Sequence, residues 1–154
     1  MNPSQTRVVK QSSSVLIEST SLTLGSYGSQ KEGQYGPDTK ETYMKYAVVG
    51  SRTFSDYQLL CDVLEELDVT MIISGGAKGA DSLAALWANR HGIELLVHPA
   101  EWTKYGKRAG FLRNKLIVDD CDEVIAFWDG VSRGTASTIK IAEALNRPVT
   151  IIRF

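Results

Sequence analysis

The chain has 154 residues, a formal net charge of -1 and two cysteines, Cys61 and Cys121. That length makes one ordinary domain, the charge leaves no broad basic face for duplex DNA, and two cysteines cannot build a disulfide framework or a zinc site. No apolar run approaches the ~20 residues of a membrane helix, and the first thirty residues lack the apolar stretch of a signal peptide, so a cytoplasmic protein with buried free thiols is expected.

Residues 1–44 are dominated by Ser, Thr, Gly and Gln and show no helical period. Val15, Ile17, Leu22 and Leu24 suggest one or two short strands, and the glycines and proline of "KEGQYGPDTK" punctuate a loop. This segment is expected to be an arm or hairpin that packs on the domain or on a second copy, which points to a homo-oligomer. From residue 45 the pattern alternates. "YAVVG" (46–50) predicts a strand, and "SDYQLLCDVLEEL" (55–67) a helix with Ser55 and Gln58 as a capping box. "VTMIIS" (69–74) is a strand, "GADSLAALWANRHG" (79–92) a helix and "IELLVH" (93–98) a strand. "KRAGFLRNKLIVDD" (107–120) is a helix, "DEVIAFW" (122–128) a strand, "TASTIKIAEALN" (135–146) a helix stopped by Asn146 and Pro148, and "PVTIIRF" (148–154) a last strand. Strands apolar on both faces, alternating with helices, give an α/β fold: a Rossmann-like, doubly wound parallel sheet of about five strands in the order 3-2-1-4-5. Such sheets bind ligands beyond the carboxyl ends of their strands, where the strand order reverses.

The loops at those ends carry the candidate site. After the first strand come Gly50, Ser51 and Arg52, a tight turn with a hydroxyl and a guanidinium. After the second come Ser74, Gly75, Gly76, Ala77, Lys78, Gly79 and Asp81, a bare backbone leading into a helix N-terminus suited to an anion. Asp81 stands where it can cap the helix or accept bonds from sugar hydroxyls. Trp102 and Tyr105 lie in the third loop as candidate base-stacking rings, with Arg113 and Asn114 on the helix that follows. After the fourth strand come Trp128, Gly130, Ser132, Gly134 and Thr135, a second anion cradle. Phosphates are expected on the amides of residues 75–79 and 132–135, with Arg52, Lys78 or Arg113 as countercharge and a base on Trp102, Tyr105 or Trp128. No metal ligands are expected.

Four segments in this order, "VVGSRTFSDY", "IISGGAKGADSLAALWA", "PAEWTKYGKRAGFLRN" and "VIAFWDGVSRGTASTI", resemble the YspA-type branch of the SLOG superfamily, over roughly residues 45–154. That superfamily also holds DprA and the Lonely-guy phosphoribohydrolases. The resemblance implies a nucleotide or nucleotide-derived ligand, related to NAD or ADP-ribose, and no required cofactor. It implies ligand loops at Gly50–Arg52 and Ser74–Asp81, a polar pair at Arg113 and Asn114, and a last loop at Gly130, Ser132, Gly134 and Thr135. In the Lonely-guy enzymes the corresponding last loop ends in a catalytic glutamate. Here Thr138 takes that place and Glu143 is farther along, leaving Asp81, with Arg113 on the phosphate, as the candidate catalytic group. Binding, as a sensor or sequestering protein, is therefore the leading expectation. Cleavage of an N-glycosidic bond in a nucleoside monophosphate or an NAD-like substrate comes second. DprA-like handling of single-stranded DNA comes last, since the acidic balance disfavours nucleic acid as a partner.

Overall fold

A computed structural model describes residues 6–10 and 43–154. The expected strands at Val15, Ile17, Leu22 and Leu24 lie outside the described residues. In chain order the elements are β1 (Thr6–Lys10), β2 (Lys45–Gly50), α1 (Tyr57–Glu65), β3 (Met71–Ser74), α2 (Ala80–His91) and β4 (Glu94–Val97). There follow a single turn α3 (Trp102–Tyr105), a 3-10 turn (Gly106–Arg108), α4 (Ala109–Asp120), β5 (Glu123–Trp128), α5 (Arg133–Ala144) and β6 (Val149–Arg153).

The six strands among the described residues form one parallel sheet in the order β1-β6-β5-β2-β3-β4. Without β1, the order is the expected 3-2-1-4-5. The sixth strand comes from the N-terminal segment, where Thr6 pairs with Val149 and Lys10 with Arg153.

The alternation of side chains in β2 explains why helices must cover both faces. Tyr46 and Val48 join Leu60 and Leu64 of α1 and Ala84 and Trp87 of α2 in one buried cluster. Ala47 and Val49 face the other way, onto Ile117 and Val118 of α4 and Ile139 and Ala142 of α5. The sheet is thus sandwiched, and its central strands supply both cores. β4 departs from this rule: all four of its residues are exposed, so neither helix layer extends fully over that edge.

The helix ends carry one correction. Asp56, not Ser55, caps α1, its carboxylate accepting from the Leu59 amide at 3.0 Å. Gln58 donates instead to Asp62. Two strong capping residues stand side by side, and the structure selects the carboxylate. α2 stops at Gly92, whose φ of 64° is a left-handed cap, and Asn146 after α5 has φ 56°. Both cysteines are buried, and burial pushes the Cys121 thiol up to about 12.

Candidate functional site

The loops after β2, β3 and β5 meet in a crevice of about 340 Å³. Of the expected residues, Gly50, Ser51, Arg52, Ala77, Asp81, Arg113, Asn114, Ser132, Gly134 and Thr135 line it. So do Val49, Thr53, Ile117, Asp129 and Thr138. Ser74, Gly75, Gly76, Lys78, Gly79, Trp128 and Gly130 are not among its lining residues.

Close approach of the first two loops depends on glycine. At Gly50 a Cβ would lie 2.6 Å from the Ala80 Cβ, at the point where β2, β5 and the start of α2 converge. Gly79 has φ 80°, and its missing Cβ would overlap the Ser51 carbonyl and lie 2.7 Å from that of Arg52.

The loop 74–79 is not bare. Asp81, 5% exposed, turns back so that Oδ2 accepts from the amides of Gly75 at 3.1 Å and Ala77 at 3.2 Å. The Gly76 amide donates to the Ser74 hydroxyl at 3.2 Å. Three amides expected to grip phosphate are therefore already engaged, and the carboxylate shapes the loop. Burial raises the Asp81 pKa, while the Ala77 amide, the Arg113 guanidinium, the Gly75 amide and the Ser74 hydroxyl pull it down.

Arg113 and Asn114 tie α4 to both flanking loops. Arg113 donates through Nη1 to the Gly75 carbonyl at 2.7 Å and through Nε to Asn114 Oδ1 at 3.0 Å. Asn114 Nδ2 reaches the Gly134 carbonyl at 3.4 Å, and the Thr138 hydroxyl donates to that same carbonyl at 3.2 Å.

The third side is the start of α5. Asp129 Oδ1 accepts from the amides of Val131 at 2.9 Å and Ser132 at 2.8 Å, and its own amide donates to the Ser51 hydroxyl at 3.1 Å. The Ser132 and Val131 amides hold the Asp129 carboxyl below its ordinary range. The first bond of the α5 turn runs from the Ala136 amide to the Ser132 carbonyl. The amides of Arg133, Gly134 and Thr135 consequently have no acceptor within the helix. Of these residues, Gly134 and Thr135 line the crevice. A Cβ on Gly134 would meet nothing within 4 Å, so this glycine leaves open space rather than relieving a clash.

None of the three aromatic residues expected to stack a base lines the crevice. The Trp128 indole donates to the Ser132 carbonyl at 3.0 Å, and the Arg153 guanidinium sits 5.0 Å from its ring centre. Trp102, 55% exposed, lies over Gly110, and Tyr105 is exposed. Asp129 is the residue sequence reasoning missed with a readable signal: an aspartate at a strand end, three residues before a helix-opening serine, marks a side-chain-to-backbone turn. Val49 and Ile117 carried no such signal, because each is also an ordinary core residue. Among the described residues no cluster of three or more metal-ligating side chains occurs, and no helix is long and apolar enough to cross a membrane.

Residues 44–105 match the model of the YspA, cpYpsA-related SLOG family. The chain is 34% identical over 113 residues to the Gene 61 protein of Mycobacterium phage D29, covering 66% of this chain and 90% of that protein. Among solved structures it is similar to DNA processing protein A (DprA) from Streptococcus pneumoniae, with a TM-score of 0.62 and 25% identity over 73% of this chain. It spans about half of DprA, 51% of that chain.

Proposed function

The chain belongs to the YspA, cpYpsA-related SLOG family, and from that premise we propose that its crevice binds a nucleotide-derived ligand without turning it over. The observation that carries this reading is the convergence of the three loops on one crevice with the open amides of Arg133, Gly134 and Thr135 at its end. A phosphate fits there, with the exposed Arg52 as its countercharge. Sugar hydroxyls fit the carboxylates of Asp81 and Asp129 across the crevice, since ionised carboxylates only accept. With no aromatic side chain in the lining, the base extends toward solvent.

Binding is favoured over hydrolysis by what occupies the acidic positions. Thr138 replaces the glutamate of the phosphoribohydrolases, and its hydroxyl is turned onto the Gly134 carbonyl. Asp81 is engaged with two loop amides, and Asp129 is held ionised by two others. Neither is a free general acid.

Titration calorimetry with AMP, NAD and ADP-ribose, followed by chromatography of each mixture, tests the reading. Stoichiometric binding with unchanged nucleotide is expected. Release of free base at many turnovers would transfer the site to the hydrolase class, and no heat with any of the three would overturn the proposal. The likeness to DprA lends no support to the expectation that nucleic acid is an unfavoured partner, and it supports a second reading in which a single-stranded DNA backbone lies along the crevice. A labelled oligonucleotide that binds and is displaced by AMP would favour that reading.

A further inference from the structure

Among the described residues β4 is an edge strand with apolar residues on both faces and only partial helix cover: Leu95 is 37% exposed, Leu96 36% and Val97 40%. Edge strands are ordinarily blunted by charge or proline, because their unpaired amides and carbonyls template further pairing. The opposite edge, β1, carries Arg7 and Lys10. β4 carries only Glu94 at its start, and Pro99 follows the residue after its end.

The register shows what lies on each side. Ile73 belongs to the cluster under α4 and pairs with Leu96, and Met71 pairs with Glu94, so Glu94 and Leu96 face the α4 side. His98 continues that series, and its Nε2 lies 2.6 Å from Asp120 Oδ2 on α4. Among the described residues Leu96 is therefore left exposed on the α4 side, between Glu94 and His98.

We propose that this edge pairs with the same edge of a second copy, antiparallel, about a two-fold axis through Leu96. The backbone decides which registers are available. His98 donates its amide inward to the Ser74 carbonyl, so by alternation Leu95 and Val97 present their amides and carbonyls outward. An antiparallel partner must place outward residues opposite outward residues. Pairing about Leu96 does so, with Leu95 opposite Val97 of the second copy. It also sets Glu94 opposite His98 of the second copy, at both ends of the strand. The neighbouring register, about Leu95, sets Glu94 opposite a leucine and leaves His98 unpaired. Tyr43, which donates to Glu94 at 2.8 Å, and Asp120, on His98 Nε2, hold these two side chains in place and leave His98 Nδ1 for the second copy. The two-fold brings Leu96 of both copies together, and Pro99 ends the ladder just beyond His98.

Sedimentation equilibrium of the full chain should give twice 16.9 kDa, and Leu96→Lys should give a single chain mass with an unchanged thermal midpoint. Leu96 sits in a non-hydrogen-bonded pair with itself, the close kind, so Leu96→Cys should form a dimer-sized disulfide under mild oxidation. Leu95→Cys should cross-link at least about tenfold more slowly, because Leu95 stands opposite Val97 of the second copy and lies on a diagonal about 7–8 Å from its own counterpart. Wild-type protein that sediments as a single chain, or Leu96→Cys that does not cross-link, would overturn the proposal. Equal cross-linking at positions 95 and 96 would sink the register.

Discussion

A carboxylate with two amide donors on one oxygen cannot be shortened without leaving those donors bare. Asp81→Ala should lower stability to urea by about 2 kcal/mol, since buried unpaired donors cost about 1–3 kcal/mol. Asp81→Asn keeps an accepting oxygen and should lose far less. The sign of the pH dependence follows from burial. The folded chain holds the Asp81 proton more tightly than the unfolded chain, whose ordinary value is 3.8. Stability therefore falls as pH rises from that value through the raised one, and Asp81→Asn should flatten the profile there. Asp129 behaves oppositely. Its hold on Val131 and Ser132 is present above the ordinary carboxylate range and is lost as pH falls through its lowered value. Amide shifts of Val131 and Ser132 in an NMR titration should have their midpoint below that of an unperturbed aspartate; a midpoint at the ordinary value would show that the turn does not depend on this carboxylate. The glycines were visible as a site in the sequence, but their reasons differ. Gly79 permits two loops to touch, whereas Gly134 keeps a space empty.

The helix N-terminus of α5 is the element on which the proposed ligand rests. Gly134 lies in its first turn with open space in front, so Gly134→Ala should leave the fold intact and raise stability by up to about 1 kcal/mol through helix propensity. Gly134→Val should in addition fill the mouth of the crevice and weaken nucleotide binding at least tenfold. Calorimetry beside a thermal melt separates the two effects, and undiminished affinity for the valine variant would move the phosphate elsewhere. Helices and strands after residue 45 were legible because each has a clear apolar period, and boundaries moved by a few residues at most. The single turn α3 was not, since four residues carry no periodicity. Its own Trp102 and Tyr105 looked like stacking rings because an exposed aromatic in a loop reads the same whether it faces a ligand or solvent.

At the scale of the whole molecule, charge sets what the crevice can attract. Arg52 and Arg113 are offset by Asp81 and Asp129 among its lining residues, and the chain as a whole is at -1. Binding of a mononucleotide should therefore depend weakly on salt, with a slope of about one or less in log affinity against log salt; a much steeper slope would mean a polyanion backbone is the natural ligand. The order of the five strands after residue 44, the sandwiching of the sheet and the set of loops at its switch point were legible in the sequence, because apolar period and glycine placement are local and a right-handed crossover leaves little choice of topology. Three things were decided only by tertiary structure. The glycine loop is filled by its own Asp81, Trp128 is tied to Ser132 and Arg153, and β4 is left largely exposed at the sheet edge among the described residues. Each turns on which group from a distant part of the chain, or no group at all, arrives beside a residue whose own type allowed several partners, and that is fixed by three-dimensional packing rather than by spacing along the chain.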